Sequence, residues 1–288
     1  MSRSDGNVVG LRHIADAGSP EARWNLVIVA DGYTAAQLPR FAADADQVRD
    51  RLFEVPPFNR PAIRGAINIY RLDVSSTDSG ADKPRCEDGG GTGHISRTFF
   101  DSTFCSDGKT QRLLYGDARL VMETVDEHLP QWHQIIVLVN DSERGGAGGN
   151  VAWFSNGGDD WREVAIHELG HSAFGLADEY DYGGPAQWPG GEPDEPNIST
   201  VRDIGRVKWH GSVTATGASP TRANPNCDHS DQGPSGVGAN IVGTFEGAKY
   251  SHCGLYRPVW NCMMRTTSAP FCPVCTKAII EVMDPFAP

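Results

Sequence analysis

The sequence predicts an α/β fold, in an α+β arrangement with helices packed on a mixed, twisted sheet. Three short apolar runs have the composition of buried strands. They are WNLVIVADG from Trp24, AINIYRLDV from Ala66 and HQIIVLVND from His133. Helical patterns alternate with these runs, and this alternation indicates helices layered on a sheet.

The first helical pattern follows the first predicted strand. Thr34 offers an N-cap, and Gln37 stands three residues later, which is the spacing of a capping box. The apolar residues that then recur on one helical face are Leu38, Phe41, Ala45, Val48 and Leu52. Further helices are predicted from about Asp117 to Leu129 and from about Pro273 to Met283.

Composition excludes several classes of protein. The chain has 288 residues, of which 39% are apolar and 22% charged, so a folded globular protein is expected. The net charge is −12 and the basic residues are scattered, which argues against nucleic acid or an anionic membrane as partner. No apolar run is long enough for a membrane span, and the N-terminal residues do not resemble a signal peptide. We expect a monomer.

The seven cysteines allow two interpretations. They are numerous for a cytosolic enzyme, and four of them lie in the last 36 residues, where the chain reads CPVC. One interpretation is a redox pair or a structural four-thiolate zinc site. The other, which we favour, is disulfide bonding in an oxidising compartment, and it predicts an extracellular or secreted protein.

The stretch HELGHSAFGLADEY, residues 167–180, carries the strongest chemical signal. A helix is predicted over residues 160–174, in which His167 and His171 stand four apart and project from the same side. Two imidazole nitrogens can therefore meet one Zn²⁺ ion at roughly 2.0–2.1 Å. Glu168 lies beside the first histidine, where its carboxylate can reach a water on the metal.

Two histidines leave a catalytic zinc short of one protein ligand. Asp178 can supply it only if the helix stops, because on an unbroken helix it would lie about 10 Å further along the axis. Gly175 is the predicted stop, since glycine accepts the left-handed backbone that ends a helix. Glu179 is the rival third ligand or an outer-shell partner of a histidine. A chance H-E-x-x-H pattern with no metal is the alternative.

The motif AIHELGHSAFGLADEYD resembles the signature of the immunoglobulin-A-cleaving metallopeptidase family, zinc metallopeptidases related to the metzincins. Other stretches that resemble this family are IVADGYT (28–34), FDSTF (100–104), GTFEGAKY (243–250), LYRP (255–258) and CMMR (262–265). The resemblance covers residues 25 to 285, nearly the whole chain. It implies a metzincin-like catalytic domain with a twisted sheet, an active-site helix and an irregular C-terminal half.

The resemblance also implies how the chain is organised. We expect one catalytic domain over residues 1–288, with an upper part of about 1–175 and a lower part of about 176–288 that contains a methionine turn. That turn would be NCMMR, with Met263 or Met264 beneath the zinc. The sequence departs from the usual metzincin pattern because residue 174 is Phe, glycine follows one position later, and Asp178 replaces a third histidine.

Two further side chains are candidates for substrate contact. The Tyr256 hydroxyl could donate to a developing oxyanion. Arg257 could hold a substrate carbonyl or carboxylate, or it could pair with an acid such as Glu246. The glycine-rich segment before the motif helix could pair with the substrate backbone as an edge strand.

These observations predict a zinc-dependent endopeptidase acting on protein or peptide substrates, with one catalytic Zn²⁺ and Glu168 as general base. One alternative is a protein- or glycan-binding module that contains zinc. Another is an amidase or exopeptidase acting on small substrates. The acidic stretches DEYDY and GGEPDEPN could bind Ca²⁺ through their oxygens, although the spacing of an EF-hand is absent.

Overall fold

The structure is a computed structural model that describes residues 3–214, 226–227 and 241–288. The chain divides into two compact units, Met1–Ala173 with Met283–Pro288, and Phe174–Val282. Part of the C-terminal half that the resemblance implies to be irregular lies outside the described residues. A single catalytic domain over the whole chain stays a prediction.

A six-stranded mixed sheet forms the centre of the first unit, with the strand order β1-β3-β2-β4-β6-β5. The four inner strands are parallel, and the edge strands β1 and β5 are antiparallel to their neighbours. The predicted strands from Trp24, Ala66 and His133 are confirmed as β2, β3 and β4. The strand bounds are β1 Gly6–Ala15, β2 Trp24–Asp31, β3 Ile67–Ser76, β4 Gln134–Val139, β5 Gly146–Ala147 and β6 Val151–Ser155.

The glycine-rich segment after β4 contains two short strands, of which the sequence analysis predicted an edge strand but not the buried strand β6. Short length explains the omission, because β5 has two residues and β6 has five. Every residue of β6 is nevertheless buried, since β6 lies between β4 and β5 in the sheet. The chain leaves β6 at Ser155 and continues through the loop that precedes the motif helix.

The predicted helices of the first unit are present. The Gln37 side chain accepts a hydrogen bond from the Thr34 backbone N–H at 2.9 Å, as a capping box requires. The predicted face of α1 is buried apart from Leu38, which is half-buried, and Asp117 caps α3 by accepting from the Leu120 N–H at 2.9 Å. The helix bounds are α1 Leu38–Glu54, α2 Pro61–Arg64, α3 Ala118–Asp126 and α4 Trp161–Phe174.

A buried carboxylate at the end of β2 connects two of the sequence motifs. Asp31 accepts hydrogen bonds from the backbone N–H groups of Phe100 and Ser102 at 3.1 and 3.2 Å. Burial raises the pKa of the Asp31 carboxyl, and these hydrogen bonds oppose that rise. The motifs IVADGYT and FDSTF therefore meet at the Asp31 side chain. Its hydrogen bonds fix the backbone of Phe100 and Ser102 beside the end of β2.

The second unit contains a β-hairpin and a C-terminal helix. Strands β7 (Phe245–Ala248) and β8 (Ser251–Arg257) pair antiparallel, and α5 spans Pro273–Met283, with the bounds that the sequence predicts. Its hydrophobic cluster comprises Ala177, Ile198, Ala248 and Leu255. Two disulfides are present among the described residues, Cys86–Cys105 in the first unit and Cys227–Cys253 in the second.

No helix in the described parts of the chain has both the length and the apolar character needed to cross a membrane.

The active-site helix of the sequence prediction ends where expected. Helix α4 stops at Phe174, and Gly175 follows with a φ of +59°. A Cβ atom at this glycine would meet no atom within 4 Å, so only the backbone conformation disfavours other residues there. Gly175 therefore serves as the left-handed residue that reverses the chain.

We expect Gly175→Ala to lower the free energy of unfolding by about 1–2 kcal/mol, because a left-handed backbone is strained for residues that carry a Cβ. The measurement is urea denaturation of the purified chain. The matched control is Gly191→Ala, because Gly191 has no left-handed φ and an equally open surround. Equal stability of the two variants would contradict the role of Gly175.

Candidate metal centre

Helix α4 brings two imidazoles to one point. The Nε2 atoms of His167 and His171 lie 3.1 Å apart, and their rings meet edge to face. Two nitrogens bound to one zinc at tetrahedral geometry would be separated by about 3.3 Å. The spacing of these two nitrogens therefore fits a shared zinc ion, which the spacing of four residues on the helix predicts.

Asp178, the predicted third ligand, lies in the second unit. Asp178 is buried, and it follows the left-handed residue Gly175 by three positions. The chain reversal that the sequence predicts before Asp178 is therefore present, and the role of Asp178 as third ligand stays a prediction.

Glu168 lies on the same helix, with its side chain against the edge strand β5. The residue is 8% exposed. A Cβ atom built on Gly146 would fall 2.8 Å from Glu168 Oε1, and one built on Gly148 would fall 2.6 Å from the His171 Cβ atom. A Cβ atom at position 148 would therefore displace the His171 side chain, and one at position 146 would press against the Glu168 carboxylate.

The edge of β5 is partly occupied by the protein itself. The Gly146 N–H donates to the Arg112 carbonyl at 3.1 Å, and the Gly148 carbonyl accepts from the Tyr115 hydroxyl at 2.6 Å. The pKa of Tyr115 is raised by burial and then by the charge of Glu168. Substrate pairing with this edge, as predicted from the glycines, would have to use backbone groups other than these two.

A network of backbone contacts holds the segment that carries Asp178. The Asn197 side chain accepts from the Ala177 N–H at 2.8 Å and donates to the Ala177 carbonyl at 2.9 Å. The Asp178 carbonyl accepts from the Lys249 N–H at 3.0 Å. Asn197 is completely buried. These contacts fix the backbone on both sides of the carboxylate.

Tyr250 contacts the Asp178 carboxylate directly. Its hydroxyl donates to Oδ2 at 2.6 Å. Burial raises the pKa of Tyr250, and the negative charge of Asp178 raises it further, so the phenol stays protonated and able to donate. Both Lys249 and Tyr250 have positive φ values, 45° and 70°, in the turn between β7 and β8. That turn is shaped to present the hydroxyl to Asp178.

The predicted residue Tyr256 lies on β8, where its hydroxyl is 3.4 Å from the Glu246 carboxylate. Burial raises the pKa of Tyr256, followed by the charge of Glu246. Its neighbour Arg257 is fully buried and donates to the backbone carbonyls of Glu246 and Trp260. Of the two roles considered for Arg257, these contacts favour the structural one.

The methionine turn predicted for NCMMR is buried in the second unit. Met263 and Met264 are 1% and 0% exposed. The Met264 carbonyl accepts a hydrogen bond from the Glu179 N–H at 2.7 Å, so this turn is joined to the residue after Asp178. A position of either methionine beneath a zinc ion stays a prediction.

Glu179, the rival third ligand, belongs to a different group of side chains. Its carboxylate lies with Cys262, Cys272 and Cys275, and not with the histidine pair. Burial, followed by the charge of Cys262, raises the pKa of Glu179 well above its ordinary value. The interpretation of the four C-terminal cysteines as a four-thiolate zinc site is wrong. One of the four, Cys253, forms a disulfide with Cys227.

Apart from Asp178 and Glu179, the acidic stretches considered for Ca²⁺ contribute no residue to a group of converging ligands in the described part of the chain. Glu192 lies 3.3 Å from the Lys208 ammonium, and Glu195 lies 2.7 Å from that of Lys249. Asp181 is buried, with the Arg265 guanidinium 3.4 Å away. The geometry therefore lends no support to a calcium site in these stretches.

The comparison with known protein families agrees with the motif. Residues 13–232 and 235–283 match the model of a family described as IgA Peptidase M64. None of the curated proteins matches the chain. The family match covers both the motif helix and the segment that carries Asp178.

We expect Tyr250→Phe to weaken zinc binding by about tenfold or more, because partners that orient a metal ligand commonly contribute 10–100-fold to affinity. Competition with a chromophoric chelator measures the dissociation constant. Tyr182→Phe is the control, since Tyr182 is exposed and stacks on Tyr180. If both variants bind zinc as the wild type does, the hydroxyl of Tyr250 does not support the ligand.

Proposed function

Because the chain belongs to the IgA peptidase M64 family, and is therefore a peptidase, we propose that it is a zinc-dependent endopeptidase. His167, His171 and Asp178 are the proposed zinc ligands, and Glu168 is the proposed general base. The observation that carries this proposal is the 3.1 Å separation of the His167 and His171 Nε2 atoms, which fits two ligands of one zinc ion. A zinc ion held by three ligands retains an open coordination position.

Zinc bound by these residues would polarise the scissile carbonyl and lower the pKa of an attacking water towards ~7. The protein supplies the proton acceptor. Glu168 adjoins His167 in sequence and is largely shielded from solvent, which strengthens its interaction with a nearby proton donor. Its carboxylate takes the proton of the water and then delivers it to the leaving amine.

The two tyrosines have different proposed roles. The Tyr250 hydroxyl already donates to Asp178. We therefore assign Tyr250 to holding the ligand. Tyr256 stays our prediction for the hydroxyl that donates to the oxyanion of the tetrahedral state.

The proposed substrate is a protein or peptide, as the peptidase family implies. Immunoglobulin is not assigned as the target, because site geometry transfers between relatives more safely than substrate preference. The two disulfides are consistent with an extracellular or secreted location. The absence of a nucleic-acid partner and the monomeric state stay predictions.

The alternative functions differ in what they demand of Glu168. A binding module that keeps zinc only for structure has no use for a carboxylate base beside the ligands. The position of Glu168 on α4, one residue after a proposed ligand, therefore favours catalysis. An amidase or exopeptidase would use the same residues. Only the substrates that the enzyme accepts can therefore distinguish these activities from that of an endopeptidase.

We expect Glu168→Gln to lower the hydrolysis rate by roughly 10²–10⁴-fold while zinc content is unchanged, because the amide cannot accept the proton of the water. The assay uses peptides acetylated at the N-terminus and amidated at the C-terminus, with and without a chelator. Mass spectrometry identifies the products. Glu163→Gln is the control on the same helix, since Glu163 accepts from the Arg51 guanidinium at 3.0 Å.

Each outcome of this assay decides between the functions. Cleavage of blocked peptides that the chelator abolishes supports a metal-dependent endopeptidase. Cleavage of unblocked peptides alone points to an exopeptidase. Full activity of Glu168→Gln would remove Glu168 from its role as base.

We expect Asp178→Asn to lower zinc affinity by at least the 10–100-fold that outer-shell partners contribute, because it removes the charge of a direct ligand. Elemental analysis and chelator competition measure the loss. Asp194→Asn, at an exposed position of the same unit, is the control. Zinc affinity unchanged in Asp178→Asn would place the third ligand elsewhere in the chain.

A further inference from the structure

A second group of potential metal ligands lies wholly within the second unit. It consists of Glu179 and the three cysteines that are not in disulfides, Cys262, Cys272 and Cys275. One ligand atom from each lies within 4.8 Å of the others, and all four residues are buried. Two of the cysteines form the C-x₂-C pair CPVC at the start of α5.

The spacing of the sulfur atoms fits a shared metal ion. The Sγ atoms of Cys262 and Cys275 are 3.6 Å apart. Two thiolates bound to one zinc at about 2.3 Å in tetrahedral geometry would be separated by about 3.8 Å. A disulfide would bring the two sulfurs to about 2.05 Å. The observed separation is close to that of two ligands on one ion.

One carboxylate oxygen of Glu179 gives independent support for a bound cation. Glu179 is completely buried, and its Oε1 atom accepts from the Asn197 side chain at 3.0 Å and faces the Cys275 Sγ at 3.4 Å. Its Oε2 atom is buried and has no hydrogen-bond partner among the described residues. A buried carboxylate oxygen without a partner is strongly unfavourable, and a metal ion would satisfy it.

The backbone around the cysteines is arranged to stabilise thiolates. The Cys272 N–H donates to the Cys262 Sγ at 3.3 Å, and the Cys275 N–H donates to the Cys272 Sγ at 3.4 Å. Hydrogen bonds of this kind favour the charged form of sulfur. Pro273 begins α5, so the helix N-terminus adds its positive partial charge beside the CPVC pair.

We propose that Cys262, Cys272, Cys275 and Glu179 bind one structural Zn²⁺ ion, distinct from the ion proposed at His167, His171 and Asp178. Thiolates with a tetrahedral arrangement select zinc among the common divalent metals. Four protein ligands leave no open position, which is typical of structural sites. The ion offsets half of the charge of its four anionic ligands, and Arg257 acts on Glu179 as a further positive charge.

The proposed ion would join three segments of the second unit. Glu179 follows Asp178, Cys262 lies in the methionine turn, and the CPVC pair begins α5. A contact between the first two segments is already present, since the Glu179 N–H donates to the Met264 carbonyl. The ion would therefore hold the backbone beside Asp178. Only this last consequence rests on the proposed function, because the site itself needs no catalysis.

The competing state is a disulfide between two of the three thiols. Its formation removes two protons and two electrons, which the oxidant that forms Cys86–Cys105 and Cys227–Cys253 would accept. Zinc and disulfide make opposite predictions for the number of thiols. Titration with a thiol reagent in denaturant and chelator should detect three thiols if zinc is bound, but one if a disulfide has formed.

The decisive experiment measures metal content in the full chain. We expect the double variant His167→Ala/His171→Ala to retain about one equivalent of zinc, in a site whose cobalt form shows sulfur-to-metal charge-transfer absorption. Cys272→Ser should lose about one equivalent relative to the wild type. Cys86→Ser/Cys105→Ser is the control for the removal of cysteines outside the group, and it should keep the wild-type metal content.

Three results would overturn the proposal: a count of one thiol, unchanged zinc content in Cys272→Ser, or the absence of metal from the histidine double variant. If Cys272→Ser does not fold, the thiol count and the cobalt spectrum of the histidine double variant decide the question. Failure of the proposed peptidase activity would appear in the peptide assay, and it would leave the thiol count and the cobalt spectrum unchanged.

Discussion

A single straight helix cannot supply three ligands to one metal ion, and this constraint organises the chain from α4 onwards. His167 and His171 exhaust what the helix can offer, because the next residue on that face lies a further turn along the axis. The left-handed conformation at Gly175 ends the helix and turns the chain within three residues of Asp178.

A ligand delivered by a non-helical segment needs its position fixed by other contacts, because no repeating backbone hydrogen bonds hold it. The Asn197 side chain forms hydrogen bonds with both the N–H and the carbonyl of Ala177. The turn between β7 and β8 supplies the Lys249 N–H and the Tyr250 hydroxyl as hydrogen-bond donors to Asp178. All of these groups lie within the second unit. Fixed geometry of this kind lowers the entropy that a metal site loses when the ion binds.

The sequence predicted the elements whose signals are local. Strands β2, β3 and β4 are continuous apolar runs because parallel inner strands are buried on both faces, and α1 shows its buried stripe directly. The end of α4 was predictable because glycine readily adopts the left-handed backbone conformation that ends a helix, as Gly175 does. Strand β6 was not predicted, since five residues flanked by glycines give too short a pattern.

Contacts between distant parts of the chain could not be predicted from spacing. Tyr250 lies 72 residues after Asp178, and Cys275 lies 96 residues after Glu179. Positive φ values at Lys249 and Tyr250 have no signature in the residue types, because neither is glycine or asparagine. The pairing of Cys253 with Cys227 likewise removed a cysteine from the C-terminal group that adjacency in sequence had suggested.

Asp178 and Glu179 are consecutive, yet we propose them as ligands of two different zinc ions. In an extended chain adjacent side chains point to opposite faces, so one peptide unit would serve both ions. The insertion or deletion of a single residue between Gly175 and Asp178 would exchange the two faces and misdirect both carboxylates at once. Length variation among descendants of this sequence should therefore be absent from this short segment.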